Sequence, residues 1–120
     1  MIILRTTTHM EDKKVLIIDD EDDFNLLMTD YFEGKGFKVF VAPSISKGLK
    51  ILEAEHPGHI LLDNNLPDGY GWGEADFILK NYPNVHLTLI SGMDGPKTTA
   101  TTFRILYKPF VKADLNKLFS

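Results

Sequence analysis

Short, wholly apolar runs that each end on charged residues constrain this chain more than any other feature. Val15-Leu16-Ile17-Ile18 runs into Asp19-Asp20, Ile60-Leu61-Leu62 into Asp63, and Ile105-Leu106-Tyr107 into Lys108-Pro109. Runs this short, without polar alternation, suit strands buried on both faces of a helix-covered parallel sheet. In such a sheet the strand ends share one edge, so residues distant in sequence meet in space. Three carboxylates brought together there repel, each raising the pKa of the others unless a cation intervenes. A hard divalent ion with oxygen ligands, Mg2+ above all, relieves that repulsion most simply.

The segments between the runs carry helical patterns. Asp22 or Asp23 is placed to cap a helix with Phe24, Leu27, Met28, Tyr31 and Phe32 at helical spacing, ended by Gly34 and Gly36. Val39-Phe40-Val41 reads as a second strand. Ser44 then caps a helix with Ile45, Leu49 and Leu52 on one face, stopped by His56-Pro57-Gly58. After the strand at 60–62 come a loop over 63–71 and a weaker helix over 73–81, with Ala75, Ile78 and Leu79 inward. Strands over 85–90 and 104–107 and a helix over 112–119 complete the chain. Strands alternating with helices predict an α/β fold, a doubly wound sheet of five parallel strands.

A length of 120 residues allows one domain with a single core. A net charge of −4 argues against general affinity for nucleic acid or anionic membrane. The chain has no cysteine, which excludes disulfides and thiolate metal sites. No apolar run approaches a membrane span, and Met1-Ile2-Ile3-Leu4 is no signal peptide, so a cytoplasmic protein is expected. Residues 1–12 hold no persistent pattern and are set aside as an extension, native or left from cloning. The domain is expected to occupy 13–120.

In this order the motifs resemble the receiver domain of two-component response regulators. They are Asp19-Asp20-Glu21 after a strand, Asp63-Asn64-Asn65-Leu66-Pro67-Asp68-Gly69 after another, and Gly71 eight residues beyond Asp63. Ser91-Gly92 and Lys108-Pro109-Phe110 complete the set, which spans nearly all of residues 13–119. The resemblance implies a flavodoxin-like, CheY-like sheet in the order 2-1-3-4-5. It implies Asp63 as phosphoacceptor, with Asp20, Asp63 and the Asn65 backbone carbonyl holding Mg2+ and Asp19 acting directly or through water. Ser91 and Lys108 are implied to contact phosphoryl oxygens. The implied partner is a histidine kinase or histidine phosphotransfer protein, with no nucleic acid or membrane partner and the oligomeric state left open. The chain is then no enzyme, beyond at most hydrolysing its own acyl phosphate.

Two other function classes compete. An aspartyl-nucleophile phosphatase needs an acid two residues after the nucleophile to protonate the leaving group, and Asn65 cannot serve. A receiver-like module that only binds partners is favoured by two departures from the family pattern. Ile105 stands where receivers carry Tyr or Phe, three residues before the site lysine. Only 16 residues, 92–107, separate Ser91 from Lys108, and they include four threonines, so the fourth helix is expected to be shortened or missing. Partner contacts are then expected on the first helix near Phe24 and Met28 and on the loop around Lys108. His56, His59 and His86 lack metal-ligand spacing and read as surface residues, and Trp72 as a packing residue.

Overall fold

Strand pairs of the large sheet are parallel because each crossover is a helix-length segment instead of a tight turn. The computed structural model describes residues 13–92, 104–108 and 110–119. Along the chain come β1 (Lys14–Ile18), α1 (Asp22–Gly34), β2 (Lys38–Ala42), α2 (Ile45–Glu55) and β3 (His59–Asp63). A two-residue hairpin follows, β4 (Asn65–Leu66) and β5 (Gly69–Tyr70), then a 3-10 turn (Gly71–Glu74) and α3 (Ala75–Asn81). The last elements are β6 (His86–Ser91), β7 (Arg104–Tyr107) and α4 (Lys112–Phe119). The large sheet has the order β2-β1-β3-β6-β7 with every neighbouring pair parallel. Leaving the hairpin aside, this is the 2-1-3-4-5 order. The segment in which a shortened or missing fourth helix was expected, 93–103, lies outside the described residues, as does Pro109.

Alternation along β1 feeds both faces of the sheet. Val15 and Ile17 pack with Phe24, Met28 and Phe32 of α1 and Leu115 of α4. Leu16 and Ile18 pack on the other face with Leu52 of α2 and Ala75 and Ile78 of α3. The four apolar side chains of β1, Val15 to Ile18, are all buried, so no polar residue fits among them until the strand ends at Asp19. Trp72 is buried in the second of these layers, as expected of a packing residue. No helix among the described residues is long and apolar enough to cross a membrane.

Local corrections have local causes. Helix α1 takes Glu21 as its N-cap residue, with Asp22 and Asp23 already inside the first turn. The cap moves upstream because Asp19 closes the preceding turn, its Oδ1 accepting the Glu21 backbone N–H at 2.8 Å. Ser44 does cap α2, accepting the Lys47 N–H at 3.3 Å. Phe24 and Met28 are buried, and the exposed apolar side chains near them on α1 are Leu26 and Leu27. His59 and His86 are not independent surface residues. The β3–β6 register sets them side by side, and their rings stack with centroids 4.9 Å apart.

Candidate functional site

Register alone gathers the expected site residues at the carboxyl edge of the sheet. Ile18 pairs with Leu62, Asp63 with Ile90, and Ser91 with Tyr107, so Asp19, Asp63, Ser91 and Lys108 follow on adjacent strands. Two hydrogen bonds extend the ladder beyond the strands. The Asp19 N–H donates to the Ala42 carbonyl at 3.0 Å, and the Lys108 N–H to the Ser91 carbonyl at 2.7 Å. Asp19, Asp20 and Asp63 each offer a carboxylate oxygen, and these atoms lie within 4.8 Å of one another. Ser91 is fully buried at the end of β6, and Asn65 is exposed in β4 two residues past Asp63.

The loop after Asp63 is held tightly against it. Asn64 accepts twice, its carbonyl from the Gly71 N–H at 2.9 Å and its side chain from the Trp72 N–H at 3.2 Å. A Cβ at position 71 would fall 2.0 Å from the Asp63 carbonyl oxygen, so only glycine fits. Asp68, in the hairpin turn, accepts the Ile45 and Ser46 N–H groups at 2.9 Å each and so ties the hairpin to the start of α2. Those two bonds hold the Asp68 carboxyl below its ordinary pKa.

The electrostatics are those of several acids sharing one cation. Burial and the neighbouring Asp19 charge push the Asp63 carboxyl up to about 6, against the downward pull of Lys108 and the Asn64 backbone. Burial likewise raises Asp19, although the Glu21 N–H and Lys108 oppose it. For Lys108 burial acts downward, but its hydrogen bond to Glu21 and the charges of Asp19 and Asp63 outweigh it, and its pKa rises. Both members of the Lys108–Asp19 pair thus move up. The ammonium is over-supplied with carboxylates, and each carboxylate is under-supplied with cation.

Lys108 Nζ lies 3.6 Å from Asp19 Oδ2 and 2.6 Å from Glu21 Oε1. Among the described residues no ion pair joins Lys108 to Asp63. Asp19 Oδ2 is buried without a hydrogen-bond partner. An orphaned hard oxygen beside two further carboxylates suits a divalent, oxygen-liganded ion such as Mg2+. Glu21 escaped sequence reasoning because its partner is 87 positions away; its place in the acidic run Asp19-Asp20-Glu21-Asp22-Asp23 was the one available signal. Ile105 is half-buried on β7 opposite Leu89, and the aromatic two residues on, Tyr107, is 56% exposed. Phe103 lies outside the described residues.

These features define a doubly wound α/β domain with an acidic pocket at the carboxyl edge of its sheet. Residues 15–119 match the response regulator receiver domain, and the chain belongs to that family, a module of two-component signalling. It is 26% identical over 112 residues to the photosynthetic apparatus regulatory protein RegA of Cereibacter sphaeroides, covering 89% of this chain and 59% of RegA. It is 26% identical over 94 residues to the acid tolerance regulatory protein ActR of Rhizobium meliloti, covering 78% of this chain and 48% of ActR. The chain therefore spans about half the length of these curated relatives. A response regulator receiver protein from Sinorhizobium medicae superposes with a TM-score of 0.79 at 25% identity, covering 90% of this chain and 91% of that one. The beryllofluoride-activated NtrC4 receiver domain dimer gives a TM-score of 0.77 at 27% identity, covering 88% of this chain and 93% of that one.

Proposed function

We propose that Asp63 accepts a phosphoryl group from a phosphohistidine on a histidine kinase or phosphotransfer protein. An Asp63 carboxylate oxygen attacks phosphorus in line, the P–N bond breaks, and its electron pair returns to the donor imidazole. The product is an acyl phosphate, which water later cleaves to restore the carboxylate. Positioning and charge neutralisation carry such a loose transfer more than nucleophile strength does. The observation that carries the proposal is the convergence of the Asp19, Asp20 and Asp63 oxygens within 4.8 Å, with Lys108 beside Asp19. Asp20, Asp63 and the Asn65 carbonyl would hold Mg2+, with Asp19 a direct or water-mediated ligand; the ion supplies neutralisation of the phosphoryl oxygens. Lys108 and the Ser91 hydroxyl serve the remaining oxygens. The chain acts as a substrate and switch, not as an enzyme on other molecules, and works in the cytoplasm beside its ATP-fed donor.

Exposed Leu27 and Val111 line a groove of 620 Å³ between α1 and α4, which Phe110, two residues past Lys108, also lines, and they support that face as the donor's seat. Incubation with acetyl phosphate and Mg2+, read by intact mass, tests the chemistry. One added phosphoryl group is expected, absent with EDTA and absent in Asp63→Asn. Full labelling of Asp63→Asn would remove Asp63 as acceptor. A wild type that no donor labels would favour a module that only binds partners, a role to which aliphatic Ile105 in place of an aromatic also points.

A further inference from the structure

The position of Lys108 is set by a residue outside the acidic metal cluster. Its ammonium meets Glu21 Oε1 at 2.6 Å on the outward side and Asp19 Oδ2 at 3.6 Å on the inward side. The Phe24 ring lies beneath it, 4.5 Å from Nζ to the centroid. The outward contact is the short, charge-assisted one. Glu21 is free to make it because its side chain caps nothing in α1. Asp20, one position earlier, is instead drawn into the carboxylate cluster.

We propose that Glu21 is a latch that holds Lys108 away from Asp63 in the unphosphorylated protein and must release it when the phosphoryl group arrives. The proposal rests on the phosphoacceptor reading and adds a regulatory residue to it. Lys108 then has two stations above Phe24. In the outward one Glu21 holds the ammonium; in the inward one a phosphoryl oxygen and Asp19 hold it. A discrete pair of arrangements of this kind is what a two-state switch requires. Every interaction made to Glu21 before transfer and lost in the transition state lowers the rate of transfer. Asp19 keeps the ammonium beside the pocket in either station, so breaking the latch frees the lysine without losing it.

Glu21 also carries a negative charge that would repel an incoming phosphodonor, and two substitutions separate that effect from the latch. Glu21→Ala removes charge and contact together. Glu21→Asp keeps the charge but shortens the reach by one methylene, and at an N-cap position the shorter carboxylate is drawn to the helix amides. The rate of phosphoryl uptake from acetyl phosphate with Mg2+ is measured by intact mass for wild type, both variants and Asp63→Asn. Both Glu21 variants are expected to label faster than wild type, by roughly threefold to fivefold for one partly exposed ion pair. Acceleration in Glu21→Ala alone would assign the effect to charge repulsion and overturn the latch. Equal or slower rates in both would overturn it as well. Labelling of the wild type but not of Asp63→Asn keeps the phosphoacceptor reading intact in either event. A wild type that takes no label removes that reading, and the latch with it.

Discussion

Lys14 and Lys108 stand at opposite ends of the same sheet, and their surroundings differ in kind. At the amino end, Lys14 reaches the Glu55 carbonyl at 3.1 Å and the Glu55 carboxylate at 3.5 Å. His59 and His86 stack there, Phe37 meets His59 edge-on at 5.3 Å, and Lys13 covers the Phe37 ring. There one carboxylate, Glu55, meets one ammonium, Lys14. At the carboxyl end one ammonium serves Asp19 and Glu21 while Asp20 and Asp63 crowd the same few ångströms. The three central strands, β1, β3 and β6, are buried along nearly their whole length, so the mismatch is not a failure of the core. At the amino end the acid and its cation are matched, and at the carboxyl end the carboxylates outnumber the one ammonium.

The sharpest test of that contrast is Asp20→Ala. Asp20 is exposed and anchors no described hydrogen bond, so the fold is expected to tolerate the change. Mg2+ affinity, followed through the fluorescence of the single tryptophan, Trp72, is expected to fall by a factor on the order of 100. Losing a residue that merely orients a ligand already costs roughly 10–100-fold, and a direct ligand is expected to cost no less. Wild-type affinity in Asp20→Ala would mean that the carboxyl end is not a metal centre built on Asp20.

How far the sequence reached follows from the range of the forces involved. The apolar runs at Val15-Leu16-Ile17-Ile18 and Ile60-Leu61-Leu62 were legible because burial on both faces forbids polar residues. Asp19, Asp20, Asp63 and Lys108 were legible because each ends such a run. In the sequence the hairpin of β4 and β5 looks like loop, since two-residue strands leave no periodicity to detect. The third helix opens as a 3-10 turn at Gly71, not at Gly73, because the Gly71 and Trp72 amides are taken by Asn64. Asp68 bonding to Ile45 and Ser46, Glu21 to Lys108, and His59 stacking on His86 all join residues more than 20 positions apart. Such pairings exist only once the sheet order is fixed, and no local pattern announces them.

Asp63→Asn sharpens the comparison thermodynamically, apart from its loss of labelling. The Asp63 carboxyl rises from an ordinary 3.8 to about 6 in the folded protein, chiefly through burial and Asp19. A folded-state pKa above the unfolded one means the native state binds the proton more tightly. The metal-free fold is therefore most stable, as far as this group is concerned, below the unfolded pKa, and loses that stability as pH rises through about 6. Two pH units correspond to about 3 kcal/mol, which screening and sharing with Asp19 reduce to about 1–2 kcal/mol. In metal-free buffer at about pH 7.5, Asp63→Asn is expected to be more stable than wild type by that amount, and at about pH 4 equal to it. Urea unfolding at the two pH values measures both. Equal stability at the higher pH would mean that the charged Asp63 carboxylate costs the metal-free fold nothing, whether through burial or through repulsion.

The smallest effect is expected at the other end of the sheet, and it is the control on which the contrast depends. Lys14→Met removes a half-exposed ion pair and a bond to the carbonyl at the last turn of α2, while keeping the apolar stem that lies along the strand. Partly exposed pairs contribute about 0.2–1 kcal/mol, and a cation at a helix carboxyl end adds a comparable amount. The urea midpoint is therefore expected to fall slightly, with the slope unchanged. Mg2+ affinity and the labelling rate are expected to stay at wild-type values. Strands β1 and β3 run rigidly between the two ends, but a rigid strand has no second arrangement through which a lost charge at Lys14 could act on Asp63. A change of more than about twofold in Mg2+ affinity, beyond what screened charges separated by the length of a strand can exert, would show the ends to be coupled. The amino end would then have to be counted as part of the site.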